Sequence, residues 1–554
     1  MRIGICAAIA IASASGASAQ STTAGGQIQQ IPPAPTLPKS DPDVKLERRA
    51  VPLAPDTGPG ISIRVTALHI AGATQFAEPV LVKASGFMPG DQINIGQLRA
   101  IAAKITAYYN AHGYFLAQAY LPAQDVAGGA ITVAVIEGRY GTVALRNHSN
   151  LSSGVARRRL AGLHSGDIVV SPPLERRLLL LSDLPGVVVK STLSPGTSAG
   201  TSNLDVDLLP GRRITGSVEA DNAGNRYTGA YRVGGSLNLN DPAGLGDQLS
   251  LRVLASTSGL AYGRVAYQLP IDNLTVGVAY SHIRYDLGRE FKSLDADGTA
   301  DIVGGFASYP LIRSRNANLY AVAGFDWKSF TDKVHSTSSD SRWLSQVGTI
   351  GLNGDARDGW GGGGSTTASI SWSHGNLDLR SPLDRAADAI SAHSNGGFDK
   401  LNFGVARVQT IHGPLSLYGA VRGQVAFDNL DSSEKIELGG AYGVRAYPEG
   451  EAYGDQGYIA TAEARLRLDQ WTHGLPGRFQ LIGFIDVGAV DYAHSPWFPG
   501  RNRSHRSGIG TGLSWAAPGN ILVSATYAAK LGNQAATSGP DHGGRAWFQI
   551  VKLF

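Results

Sequence analysis

The stretch from Leu438 to Gly457 reads LGGAYGVRAYPEGEAYGDQG, too polar and glycine-rich for a strand or a helix, and holds one arginine, Arg445. Val444 precedes it and Ala446-Tyr447 follows; Gly454, Asp455 and Gly457 close the stretch before an alternating segment begins. A guanidinium presents a planar fork of donors that can grip a carboxylate at two points. The chemistry on offer is therefore ion pairing rather than bond-making. Two alternating segments follow. If Tyr458, Ala460, Ala462, Ala464 and Leu466 point one way, then Glu463 and Arg465 point the other. By the same rule Phe479, Leu481, Gly483, Ile485 and Val487 leave Phe484, Asp486 and Gly488 on the opposite face. An inward Asp486 lies close to where the loop carrying Arg445 must return.

Catalytic sets are not supported. Gly196-Thr-Ser-Ala-Gly200 matches G-x-S-x-G, but a strand-like run, Leu204–Leu208, follows it, whereas a nucleophile elbow needs a helix there. No H-E-x-x-H, phosphate-binding loop or dinucleotide fingerprint occurs, and the 13 histidines show no ligand spacing, so neither metal nor cofactor is expected. The formal charge is only +4, with no basic run to suggest nucleic acid.

The elements that position these residues come next. Arg2, the apolar run Ile3–Ala12 and Ala17-Ser18-Ala19 read as a secretory signal over residues 1–19. The one cysteine, Cys6, falls inside it, so the mature chain is expected to have no disulfide or thiolate chemistry. No apolar run of about 18 residues follows, so an exported chain of this kind enters a membrane only as a barrel. Residues 20–60 carry eight prolines, Pro32 to Pro59, and read as an extended linker. Only Ala24–Ile31 precedes those prolines, a short stretch for a helix.

From Ile61 the pattern becomes strand, helix (Ile95–Asn110, with Leu98, Ile101, Ala102, Ile105 and Tyr109 on one face), strand (Tyr114–Leu121) and strand (Ala130–Ile136). A second unit of strand, two helices and two strands runs from 140 to 210. Two small α+β modules, 61–139 and 140–210, are expected. In the first, Ile131, Val133 and Val135 with the nearby helix frame a possible edge groove for an extended peptide.

From Gly211 to Phe554 apolar residues alternate with Gly, Ser, Thr, Arg and Gln in segments joined by turns of alternating length, for example Leu274/Val276/Val278/Tyr280. This is the pattern of a transmembrane barrel. Counting gives 16 antiparallel strands, with 428–456 as a long loop. Asp241–Gly244, Leu269–Asp272, His412–Pro414 and Ala517–Gly519 are the expected short turns. In the last segment Phe548, Ile550 and Phe554 share a face, as an assembly signal for the barrel assembly machinery would.

Val444-Arg445-Ala446-Tyr447 with Gly454-Asp455-x-Gly457, and Gly483-Phe484-x-Asp486-x-Gly488, resemble the hallmark pair of the two-partner secretion transporters, the hemolysin-activation or filamentous-hemagglutinin type. Gly113-Tyr114, Leu121-Pro122-Ala123-Gln124 and Val135-Ile136-Glu137-Gly138-Arg139 resemble the signature of their first periplasmic POTRA module. The resemblance implies two POTRA modules before a 16-stranded outer-membrane barrel. It also implies a sixth loop folded into the pore, with Arg445 paired to Asp486. A monomer in outer-membrane lipid, exporting one large secreted partner protein, would follow. The sequence departs from the family at Ala446, where a glycine is usual, which puts a positive-φ turn there in doubt. The resemblance also implies an N-terminal helix that plugs the barrel, and Ala24–Ile31 is short for one, so a weak plug or none is expected. An insertase of the same superfamily and a passive porin or receptor are the alternatives.

Overall fold

A computed structural model describes residues 23–36, 43–46, 62–126 and 128–554. The expected signal, 1–19, lies outside the described residues. The chain divides into two compact units. No helix among the described residues is long and apolar enough to cross a membrane.

One unit comprises the two α/β modules. It begins with β1 (Asp43–Leu46), from the stretch read as linker. The first module follows as β2 (Ile63–Arg64), β3 (Ala67–Ala71), α2 (Glu78–Ser85), β4 (Gln92–Ile93), α3 (Ile95–Ala111), β5 (Gln118–Tyr120) and β6 (Ala130–Ile136), where α1 is reserved for a helix of the other unit (Ala24–Gln29). A capping box between Asn94 and Gln97 starts α3, and its buried face is the expected Leu98, Ile101, Ala102, Ile105 and Tyr109. The α2 helix is an addition to the sequence reading. Pro79 in its first turn and a left-handed Gly86 after its end were the available signals. The strand expected at Tyr114–Leu121 shortens to β5, because Phe115 and Leu116 pack against the second module's core instead.

The sheet order is β3-β6-β5, with β6 in the centre. Ile131, Val133 and Val135 are therefore core, each 5% exposed or less, and not a peptide-accepting edge. Side chains also cap the backbone at the rim of this sheet. Glu78 accepts the Ile70 N–H at 3.1 Å, and Thr106 accepts the Ala119 N–H at 2.9 Å. Where β5 ends, the Gln124 amide pairs with both Thr132 backbone groups, at 2.7 and 2.8 Å.

The second module contains β7 (Arg139–Asn147), α4 (Ser153–Leu160), α5 (Ser171–Ser182), β8 (Val187–Pro195) and β9 (Thr201–Pro210). Its sheet runs β1-β8-β9-β7, so β1 lies parallel along β8, Asp43 opposite Lys190 and Leu46 opposite Leu193.

The other unit is a closed barrel. Its strands are β10 (Ile214–Asp221), β11 (Arg232–Asn240), β12 (Gln248–Ser256), β13 (Leu260–Ile271), β14 (Leu274–Asp286) and β15 (Ala296–Arg313). Next come β16 (Ala317–Val334), β17 (Ser339–Asp358), β18 (Gly364–Leu379), β19 (Gly396–His412) and β20 (Leu415–Ala426). Inside the long loop β21 (Ile436–Glu437) and β22 (Tyr453–Gly454) form a small hairpin of their own. The wall resumes with β23 (Gln456–Arg467), β24 (Arg478–Asp491), β25 (Arg503–Ala517), β26 (Ile521–Lys530) and β27 (Gly544–Leu553). All neighbours are antiparallel, and β27 returns to pair with β10, which closes a ring of 16 strands. Closure leaves no strand edge for lipid to meet. Val278, Val303, Ile350, Ile485 and Phe548 are among the apolar side chains exposed on the outer face, and Ile550 and Phe554 are exposed too. One expected turn shifts: β13 continues through Pro270 and Ile271, and the reversal is made by Asp272 and Asn273.

The barrel unit also contains α1, which corrects the expectation of a weak plug or none. Ala24 to Gln27 are fully buried, and Ala24 packs with Tyr285, Phe330 and Trp343 inside the barrel. Two glycines in six residues give α1 little intrinsic propensity, so its contacts hold it.

Candidate functional site

The loop between β20 and β23 folds inward, and Val444, Ala446, Tyr447, Gly454 and Asp455 are buried. Arg445 meets the wall where alternation placed its partners. Its Nε and Nη2 donate to the two Asp486 carboxylate oxygens, each at 2.8 Å, and its backbone N–H adds a third bond at 3.2 Å. Its Nη1 lies 2.9 Å from Glu463 Oε1, and its Cζ stands 3.4 Å from the centre of the Phe484 ring. Thr461 donates to Asp486 at 2.9 Å, and Arg465 pairs with the other Glu463 oxygen at 2.7 Å. Two guanidiniums and two carboxylates thus balance in a site where Asp486 is fully buried. Such a bidentate, charge-matched arrangement is what makes a buried ion pair tolerable.

The remaining expected residues seat the loop. Gly488 leaves room for Leu438, whose Cδ1 would lie 2.6 Å from any Cβ there. Ala446 does not take a positive φ, so it carries no strain at that point. Its methyl instead fits against Gly508, where an added Cβ would come within 2.5 Å. Asp455 accepts Lys435 at 2.6 Å and the His494 N–H at 2.8 Å, which ties the two ends of the loop together. Gly457 is the second residue of β23 and lies opposite Val490.

Three contacts were not read from the sequence. Glu434, at the loop's base, is held by Lys328 of β16 at 2.6 Å and Lys400 of β19 at 2.9 Å. Glu451 accepts Arg506 at 2.7 Å and the Thr537 N–H at 2.9 Å. The third is α1 itself. Thr23 bonds Ser432 at 3.0 Å, Gln30 bonds the Tyr453 hydroxyl at 2.6 Å, and Arg232 of the wall donates to the Gln30 carbonyl at 3.0 Å. The helix is wedged between loop and wall. The inward lysines on strands were the available signal for the first of these. Beside the loop tip a cavity of about 680 Å³ remains, lined by Asn353, Asp355, Ser369, Tyr418, Arg422 and Arg465 among others.

A family model described as haemolysin secretion/activation protein ShlB/FhaC/HecB matches residues 200–514, and one described as POTRA domain, ShlB-type, matches 63–138. The chain is 27% identical over 480 residues to the heme/hemopexin transporter protein HuxB of Haemophilus influenzae (strain 86-028NP), covering 84% of this chain and 82% of that one. It is 23% identical over 411 residues to the outer membrane transporter CdiB of Dickeya dadantii, covering 72% and 71%. Among solved structures, CdiB from Escherichia coli superposes with a TM-score of 0.70 at 20% identity, over 91% of this chain and 93% of that one. BamA from Haemophilus ducreyi lacking POTRA domains 1–3 has a TM-score of 0.54 at 14% identity, over 89% and 100%, a likeness of fold alone. With a 16-stranded barrel, a POTRA match and a family model that spans more than half of it, the chain belongs to the ShlB/FhaC/HecB haemolysin secretion/activation family, the outer-membrane transporters of two-partner secretion.

Proposed function

We propose that this transporter captures the extended N-terminal region of one large secreted partner with its periplasmic modules and passes it through the barrel lumen, with the inward loop as a latch. The observation that carries this reading is Arg445, gripped by Asp486 and Glu463 at the tip of a loop that fills the lumen. Export requires this latch to yield or shift, since the loop and α1 occupy the path. Ion pairs in a polar lumen suit such a device, because water can replace each partner as it leaves. No catalytic step or cofactor is needed: folding of the cargo outside the cell draws it forward. Cargo capture falls to the outer edges of β3 and β5, where Glu78 and Thr106 cap part of the backbone, rather than to β6. Phe548, Ile550 and Phe554 offer an apolar row to the barrel assembly machinery.

The test is deletion of Val444–Tyr447 in cells, followed by a comparison of surface and medium proteins. Loss of one large secreted protein, with the barrel still inserted and other outer-membrane barrels unchanged, is the expected result. Normal export would overturn the latch, and a broad loss of outer-membrane barrels would favour an insertase.

A further inference from the structure

The signature Glu137-Gly138-Arg139 lies at the junction of the two modules, where β6 ends at Ile136 and β7 begins at Arg139. Each of its residues has a separate task. The Glu137 carboxylate is buried and accepts the N–H groups of Thr74 at 2.6 Å and Gln75 at 2.9 Å, the Thr74 hydroxyl, and the Tyr109 hydroxyl at 3.0 Å. One side chain thereby ties the β3–α2 loop and the end of α3 to the end of β6. Burial alone would push its pKa up, but the bonds from Thr74, Gln75 and Tyr109 outweigh burial and hold it below the usual range.

Gly138 has φ 72°, and a Cβ on it would stand 2.6 Å from the Leu116 Cβ. That close approach lets Phe115 and Leu116, from the first module, pack on the core of the second. The Gly138 carbonyl accepts the Val169 N–H at 2.9 Å. Arg139 keeps its Nη2 3.9 Å from the Glu137 carboxylate and also reaches into the second module: its Nη1 donates to the Gly166 carbonyl and its N–H to the Gly200 carbonyl, each at 2.9 Å. On the far side of the junction the Ser171 N–H bonds the Gly113 carbonyl at 2.9 Å. A flexible joint between modules has a solvated linker and few crossing contacts. This one has neither.

We infer that Glu137-Gly138-Arg139 is a rigid joint that holds the two modules as one body, and that export depends on the angle it sets. The rigidity stands on the geometry alone, whereas the dependence of export rests on the transporter reading. These are positioning residues, with no role in contacting cargo.

The experiment uses the full-length protein in lipid nanodiscs, with Cys6→Ser and spin labels at Lys104→Cys and Arg157→Cys, both exposed positions, one on each module. Electron–electron distance measurement should give one narrow distribution for this parent, and a broad one overturns the joint without any further variant. Glu137→Ala and Gly138→Val should broaden or shift the distribution and reduce export at least tenfold. Glu137→Gln keeps part of the acceptor set and should restore a narrow distance and most export. An unchanged distribution in Glu137→Ala refutes the assigned role, and a broadened one with full export refutes the functional half. A wild type that exports nothing would instead count against the transporter reading and leave the distances standing.

Discussion

Replacing Asp486 with Asn keeps the shape of the latch and removes one charge from it. In the native site Asp486 accepts two guanidinium N–H groups, the Arg445 backbone N–H and the Thr461 hydroxyl. An amide can accept at only one of its two terminal atoms, so its nitrogen must face a donor. Breaking a buried pair outright costs about 3–5 kcal/mol, and one hydrogen bond to a charged group is worth about 1.5–3 kcal/mol. Arg445 keeps Glu463 at 2.9 Å in the variant, so the loss falls in the lower range. About 2 kcal/mol corresponds to roughly a 30-fold rise in the open population of the loop. Hydrogen exchange on the full-length barrel reads this directly, as faster exchange of peptides within Leu438–Gly457 while β23 and β24 keep their protection. Combining Asp486→Asn with Glu463→Gln should cost more than the sum of the two, because each carboxylate covers for the other. Unchanged exchange in the loop of the single variant would refute the latch, and an equal loss across all strands would show that Asp486 serves the barrel.

Four further outcomes are expected. Gly25→Val places a side chain 2.5 Å from Ser432 Oγ and 2.8 Å from the Ser433 nitrogen, so α1 should leave the lumen and ion conductance in planar bilayers should rise. Gly508→Ala should collide with Ala446, destabilise the seated loop by about 1–3 kcal/mol as overpacking does, and be rescued by adding Ala446→Gly, with loop exchange as the measure. Glu434→Gln leaves Lys328 and Lys400 without their shared anion, so exchange at Asp431–Glu437 should quicken by roughly tenfold, a loss of about 1.5 kcal/mol. Glu137 has a lowered pKa in the fold, so its contribution is complete above the unfolded value of about 4.3 and is lost as pH falls through the lower folded value. First-module stability, followed by tyrosine fluorescence in a thermal series, should therefore drop below that pH, and Glu137→Gln should flatten the drop.

The barrel was legible because lipid and lumen demand opposite chemistry from alternate residues, and that alternation also turned Asp486 and Glu463 inward. Parity turned Asp486 toward the glycine-rich loop that carries Arg445, but the pairing of the two was implied by the resemblance of both motifs to the family and not by parity alone. What escaped the sequence was non-local. The place of β6 depends on a parallel partner, β3, roughly 60 residues earlier, and nothing in Ile131–Ile136 says which strand lies on either side. The two lysines of the Glu434 clamp come from strands 106 and 34 residues away. The α1 helix has too few residues and too many glycines to announce itself, and exists because loop and wall surround it. In α2 the β-branched Val80 and Val82 blur the helical pattern, although Pro79 and Gly86 mark its ends.

The side-chain caps on the first module's sheet bear on how a cargo strand could be admitted. At Ile70 and Ala119 an incoming backbone must displace Glu78 or Thr106 before it gains a bond of its own. The exchange is one hydrogen bond for another and is close to isoenergetic. Main-chain pairing, which every polypeptide can supply, then gives almost no net attraction, and any discrimination must come from the fit of the arriving side chains. Under the proposed role of these modules in cargo capture, a guarded rim of this kind would act as a filter against the many unfolded chains that share the periplasm.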